Sequence, residues 1–303
     1  MDYSIQYHHH SGVSVAVNGQ LFVFDYWRGE HHELTPEATL TVEKLQAYDK
    51  VFVFVSHAHQ DHYDPIIDEW RSAGNVTYVV SADMPVGTRG KRMSPGDAAQ
   101  LTDRVSVRAY DSTDLGVSFA VTADGLTIFH AGDLNFWHWR EESTPHEIEE
   151  AERAFYTALE PIKREKIDLA FFPVDPRQGE MYDAGVNTMM LSLKPRLLIP
   201  IHFWGRGDLI EDFCRRSRSK NTETFAMVHV GDRLNVHVGE DGAMNAVFQP
   251  AVLPEVADAA ERGSFRDGVS NPAEDPFQDT YMPVQLDELK PKEEPPTDEE
   301  NEQ

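Results

Sequence analysis

A single cysteine, Cys214, occurs in 303 residues, so no disulfide can form within the chain and no thiolate-rich metal site can be built. Any metal must be held by imidazole and carboxylate. Apolar residues make up 40% of the chain, enough for a substantial core, yet no run approaches the roughly 20 residues that a membrane helix needs. The opening MDYSIQYHHH has neither the basic nor the apolar stretch of a secretory leader, and the expected location is the cytoplasm. Positive charge is also scarce: 27 Lys and Arg stand against 52 Asp and Glu, for a formal net charge of −25. Such a chain repels a polyanion unless a local basic groove exists, and Arg89, Lys91 and Arg92 are only scattered candidates. Nucleic acid is therefore disfavoured as a partner and a small-molecule substrate is expected. The sequence carries no sign of oligomeric state.

What is present is an alternation of strands and helices. VSVAV (13–17) and LFVFD (21–25) flank Asn18-Gly19, a pair that supplies the positive φ angles of a type I′ hairpin turn, and GVSFAV (116–121) and LTIFH (126–130) flank Asp124-Gly125 in the same way. Further strands are expected at 51–55, 76–80, 105–110, 167–172, 197–201, 225–230 and 234–238. The best-marked helix begins STPHEIEEAERAF, with Thr144 as N-cap, Pro145 at the first helical position and Glu147 completing a capping box. Shorter helices are expected at 37–48, 65–73, 183–193 and 208–220. Residues 1–250 thus read as one α/β domain of two comparable halves. Residues 251–303 hold 15 acidic against 4 basic residues; this Pro-containing stretch cannot bury enough apolar surface to offset its chain entropy and is expected to be a disordered tail.

Chemistry concentrates in VFVFVSHAHQDHYDP, residues 51–65. Val51–Val55 suits a strand buried on both faces. His57 and His59, two apart on the extension of that strand, leave the same face and can chelate one ion. Asp61 and His62 follow where the chain turns, and Asp64-Pro65 reads as the cap and first residue of a helix. Packing these groups beside a core makes sense if a cation neutralises them; the alternative is a loop whose histidines are solvated or bonded to backbone. Two more strands deliver polar residues at their carboxyl ends: LTIFHAGD presents His130 and Asp133, and RLLIPIHFW presents His202.

With SHAHQDH (56–62), HAGD (130–133) and PIHFW (200–204), the sequence resembles the metallo-β-lactamase superfamily of metal-dependent hydrolases over roughly residues 8–240. HHSG (9–12) is similar to the His-Ser element of its lactonase-like and phospholipase-like branch. The resemblance implies a four-layer αββα sandwich of two similar mixed-sheet halves. It implies a binuclear site in which His57 and His59 bind a first ion, Asp61, His62 and His202 bind a second, and Asp133 bridges them. One or two divalent ions are expected, zinc foremost, with manganese or iron as alternatives. The implied activity is hydrolysis of a small ester, lactone, amide or phosphodiester by a metal-bound hydroxide that Asp61 helps to orient. By the same resemblance His10 approaches the site.

The match is incomplete at the first ion, which members usually give another histidine from a loop. No histidine lies between Tyr63 and Phe129. The corresponding stretch RAYDSTDLGVSF offers Tyr110, Asp111 or Ser112; Asp111 could ligate directly and make a harder site, suited to manganese or iron as well as zinc. His130 is the other candidate, but strict alternation would aim it away from Asp133 unless the chain bends at Gly132; otherwise it is a core or supporting histidine. A single-ion enzyme with a weak first site is a third outcome. Trp137, His138 and Trp139 could wall a substrate pocket or, for His138, donate a proton, although such residues often simply pack. Asp175 could support a metal-bound histidine and Arg177 hold an anionic group, or both could form a surface turn with Pro176. His31, His32, His146, His229 and His237 lack motif context.

Three competing readings remain. A metal-binding protein of the same fold with no or vestigial catalysis is favoured by the altered first site, but a purely structural site would not need a bridging carboxylate. A diiron oxygen- or nitric-oxide-reducing protein on the same sandwich typically carries glutamate where this chain keeps His59. A nuclease is disfavoured by the acidic body.

Overall fold

The structure is a computed structural model that describes residues 1–252 apart from 32, 33, 140, 141 and 218. The tail expected at 251–303 lies, beyond Val252, outside the described residues, as does His32. The chain first lays down β1 (Asp2–His9), β2 (Gly12–Val17), β3 (Gln20–Phe24), β4 (Lys50–Val55), β5 (Val76–Ser81) and β6 (Lys91–Met93). A second group follows: β7 (Ala98–Thr102), β8 (Val105–Tyr110), β9 (Ser118–Ala123), β10 (Leu126–His130), β11 (Leu169–Pro173), β12 (Leu197–Ile201) and β13 (Glu223–Thr224). Finally β14 (Arg233–Val238) and β15 (Met244–Gln249) return to the first group. Two mixed sheets result, one ordered β15-β14-β1-β2-β3-β4-β5-β6 and the other β13-β12-β11-β10-β9-β8-β7.

Period-two alternation explains how the sheets stack. Along β3 and β4, Phe22, Phe24, Phe52 and Phe54 point toward the second sheet, and their rings pair across the strands at 5.2 and 4.8 Å. The intervening Leu21, Val23, Val51, Val53 and Val55 point the other way, onto Leu45 of α1 (Val42–Gln46) and onto Ile67 and Trp70 of a 3₁₀ segment at Pro65–Ala73. Each such buried side chain contributes roughly 2 kcal/mol of hydrophobic stabilisation. The second sheet is covered on its outer face by α2 (Pro145–Ile162), which presents Phe155, Leu159 and Ile162, and by α3 (Ala184–Leu193). The order helix, sheet, sheet, helix is the expected four-layer αββα sandwich. The capping box at Thr144 is present on both sides, Thr144 Oγ1 accepting from the Glu147 amide and Glu147 accepting from the Thr144 amide. Among the described residues, no helix is long and apolar enough to cross a membrane.

Several elements differ from expectation. Strands β1, β6, β7 and β15 were not anticipated, and residues 65–73 form a 3₁₀ rather than an α-helix. The strand expected at 225–230 is absent: buried Asp232 accepts the amides of Val228 and His229 at 2.9 Å each, which bends the chain out of the ladder after β13.

Cys214, on α4 (Gly207–Arg216), is partly buried, and burial pushes its thiol up to about 12. Thiolate is then roughly a thousandfold scarcer at neutral pH than for a free cysteine. Cys214 should resist iodoacetamide in the native protein and react once the chain is unfolded in guanidinium, as followed by mass spectrometry; rapid native labelling would contradict this.

Candidate metal centre

Six strands deliver the site from their carboxyl ends. Strands β1 and β3 are both antiparallel to β2, and β3 is parallel to β4, so His10, Asp25 and the 57–62 loop leave the same end of the first sheet. From the second sheet, β10, β11 and β12 run parallel and deliver Asp133, Asp175 and His202. Ligand groups gather at carboxyl ends of parallel strands because there the loops are free to carry polar groups while the strands fix them.

The donor atoms form two clusters, each gathered within 4.8 Å: His57, His59 and Asp133 in one, His10, Asp61, His62 and His202 in the other. Asp133 stands between them. Its Oδ2 lies 3.3 Å from His57 Nε2 and 3.9 Å from His59 Nδ1, while its Oδ1 lies 3.1 Å from His62 Nε2 and 3.4 Å from His202 Nε2. Asp61 Oδ2 faces His10 Nε2 at 3.1 Å and both His62 and His202 at 3.7 Å.

These donor sets fit divalent ions on an observation independent of sequence. His62 Nε2 and Asp133 Oδ1 are buried, close together, and make no hydrogen bond of acceptable geometry. Buried polar atoms are almost always satisfied, so a converging pair left over is what a cation would satisfy. The electrostatics agree. Burial alone would raise the carboxyls of Asp61 and Asp133, but the surrounding histidines outweigh it and hold both far below the ordinary range. Burial likewise opposes charge on His62, yet Asp133 and Asp61 draw its pKa well above normal. A field that attracts a proton so strongly attracts a metal cation for the same reason. Burial pushes His10 down to about 3, keeping it neutral.

The far ring nitrogens are held by two carboxylates. His62 Nδ1–H donates to Asp25 Oδ2 at 2.8 Å, and Ser56 donates to Asp25 through its amide (2.7 Å) and its hydroxyl (2.6 Å). Ser56 Oγ also lies 2.9 Å from His57 Nδ1, so one buried carboxylate orients a histidine of each cluster. His202 Nδ1–H donates to Asp175 at 3.0 Å. Asp25 was not singled out in the sequence; the signal available was a carboxylate closing the apolar strand LFVFD.

Backbone strain concentrates here. His10, Asp25, His202 and Trp204 all adopt left-handed φ angles, between 42° and 63°. Non-glycine residues hold such values only where the surroundings enforce them, commonly at functional sites. Gly132, at φ 55°, bends the chain between His130 and Asp133; a Cβ there would stand 2.8 Å from that of Ser56.

His130 and Asp111 are not brought into either cluster. His130 stacks on Phe24 in the core, its Nε2–H donates to the Ser11 carbonyl at 3.0 Å, and its Nδ1 accepts the Gly132 amide at 3.1 Å. Both nitrogens are thus engaged. Asp111 is exposed and accepts the amide of Ser112. His138 is buried against Phe136. Trp137 lies 5.8 Å from the His202 ring and donates to the Asp133 carbonyl at 2.7 Å. Arg177 is held by Asp175 and lies over the Trp204 ring at 4.6 Å; Asp175, Asp133 and Asp61 more than offset the burial that opposes its charge. His31, His146, His229 and His237 are exposed. A cavity of about 660 Å³ between α3 and α4 contains none of the cluster residues, so donor geometry and not volume locates the site.

The chain is thus an αββα sandwich that gathers two His/Asp clusters able to hold metal ions at its strand ends. Residues 4–152, just under half of the chain, match the family model described as the Beta-lactamase superfamily domain, and the two mixed sheets flanked by helices are consistent with the four-layer sandwich of metallo-β-lactamases. Among solved structures it is similar to Igni18, a metallo hydrolase from the hyperthermophilic archaeon Ignicoccus hospitalis, with 17% identity over 78% of this chain and 98% of that one and a TM-score of 0.55. The metallo-β-lactamase fold protein YhfI from Bacillus subtilis matches at 13% identity over 75% and 98% of the two chains, with a TM-score of 0.49. CmlA, a diiron β-hydroxylase from Streptomyces venezuelae, matches at 14% identity over 77% of this chain and 53% of its own, with a TM-score of 0.47. At 17% identity the likeness to Igni18 is one of fold.

Proposed function

We propose that the protein is a metal-dependent hydrolase that uses one or two divalent ions, zinc foremost and manganese or iron as alternatives, to cleave a small ester, lactone, amide or phosphodiester. The observation that carries this reading is the division of Asp133, whose two oxygens face separate histidine clusters. When bound, ions at these clusters supply an acidified water and positive charge beside the developing oxyanion. His57 and His59 hold one position, Asp61, His62 and His202 the other, and Asp133 spans both. Asp61, partly exposed at 20%, would orient that water by accepting a hydrogen bond from it. His10, neutral and facing Asp61, holds that carboxylate on the metal side. The juxtaposition of His10 and Asp61 supports the lactonase-like and phospholipase-like branch, in keeping with HHSG at 9–12.

The substrate side is lined by Trp137 and Trp204, with Arg177 supplying positive charge for an anionic group. His138, buried on Phe136, serves packing in this reading rather than proton donation. The test is elemental analysis of gently purified protein together with a panel of chromogenic lactones, esters and bis-aryl phosphodiesters. Bound transition metal and chelator-sensitive turnover of at least one class are expected. Protein with no metal and no affinity for it, or full turnover after chelation, would end the proposal.

A further inference from the structure

The His57–His59–Asp133 cluster offers three donor atoms, one of them from a carboxylate shared with its neighbour, whereas the other cluster offers four. An ion bound by so few protein groups is weakly held unless another side chain reaches it. The loop from Thr113 to Val117 is pinned on either side of one candidate. Thr113 Oγ1 accepts the Asn135 amide at 2.9 Å and donates to the Asn135 carbonyl at 2.5 Å, two residues beyond Asp133. On the other side the Val117 amide donates to the Ser56 carbonyl at 3.0 Å. Gly116, at φ 74°, packs so tightly that a Cβ would stand 2.0 Å from that carbonyl and 2.5 Å from His57 Cβ. Asp114 is suspended between these two anchors, half-buried, and interacts electrostatically with Asp133, His59 and His57.

We propose that Asp114 is a protein ligand of the first ion, completing the His57–His59–Asp133 site from the loop that precedes β9. Its oxygens are outside the atoms gathered within 4.8 Å, so ligation proceeds by rotation of the side chain on a backbone fixed by Thr113 and Gly116. No histidine is present from Tyr63 to Phe129, and an oxygen donor in this position makes the first site harder than an all-imidazole one, favouring manganese or iron relative to zinc. The inference rests on the metal-centre reading above.

Its test is metal binding rather than turnover. Chelator-treated full-length protein is titrated with cobalt(II), followed by visible absorption and by elemental analysis after desalting, for the native chain and for Asp114→Ala, the near-isosteric Asp114→Asn, Asp114→His and the control Asp111→Asn. The native chain and the control should take two ions. Asp114→Ala and Asp114→Asn should keep one and weaken the other by about tenfold to a hundredfold or more, with circular dichroism unchanged. Asp114→His should restore the second ion and raise the preference for zinc over manganese. If the native chain takes two ions and both Asp114→Ala and Asp114→Asn bind them with native affinity, this inference falls while the hydrolase reading stands. A native chain that takes one ion regardless of Asp114 also overturns it. No metal uptake by the native chain removes both.

Discussion

Asp61→Ala and His202→Ala should each lower turnover by on the order of a thousandfold or more, with the αββα fold intact. On the proposed reading Asp61 would act in two ways, as a donor in the second cluster and as the carboxylate that orients the attacking water, so its loss would remove both an ion contact and a hydrogen-bond acceptor for that water. His202 would act in one, as a donor whose ring is fixed from behind by Asp175 at 3.0 Å and whose Nε2 stands 3.4 Å from Asp133. Neither change creates a large cavity, and circular dichroism should match the native chain. Asp111→Ala, at an exposed loop position, should leave rates unchanged within a factor of about two, as expected for a surface substitution. The measurement is kcat/KM on whichever chromogenic substrate the native protein cleaves, with bound metal determined on the same samples. Native rates in both site variants would remove the catalytic assignment, since no other described carboxylate faces His10, His62 and His202 together.

What could be read from residue order was local. HxHxDH after an apolar strand carries its own geometry, because strand alternation aims His57 and His59 alike and the Asp64-Pro65 cap fixes where the loop ends; Asp64 indeed accepts the Ile66 amide at 3.0 Å. HAGD was legible in its aspartate and ambiguous in its histidine. The outcome turned on Gly132, whose left-handed conformation rotates Asp133 into the site and leaves His130 in the core. Contacts that depend on sheet order were not legible. Asp25 ends β3 and meets Ser56 only because β3 and β4 pair in parallel, Phe24 beside Phe54. Likewise β1 was missed because DYSIQYHH lacks a hydrophobic run, although it lies between β2 and β14 and delivers His10. Residue order alone does not distinguish Asp111 from Asp114 as the loop carboxylate proposed for the first ion, because the anchors at Thr113 and Gly116 are tertiary contacts without a sequence signature.

The same sheet pairing makes Asp25 the most consequential residue that is not itself a donor to either cluster. Burial alone would raise its carboxyl, but His130, His62 and His57 outweigh this and hold it below the ordinary range, so it is an anion in the native protein. It accepts the Ser56 amide, the Ser56 hydroxyl and His62 Nδ1–H, all at sites without solvent access. Asp25→Ala would strand those three donors, and breaking a buried charged network of this kind costs about 3–5 kcal/mol. For a domain of this size that corresponds to a fall of roughly 10 °C in Tm. It would also free the rings of His57 and His62 to turn, weakening metal affinity by about tenfold to a hundredfold. Asp25→Asn separates the two effects. Its amide oxygen can still accept the Ser56 amide in place of Oδ1, and the Ser56 hydroxyl can turn to accept from the NH₂ group, so most of the stability should survive, but that NH₂ group, in place of Oδ2, cannot accept from His62 Nδ1–H, so the loss of metal affinity should persist. Thermal unfolding in excess chelator reads the structural part without the contribution of bound ions, and cobalt titration reads the other. If Asp25→Ala unfolds within about 1 kcal/mol of the native chain and binds metal as tightly, the carboxylate is not what orients these histidines.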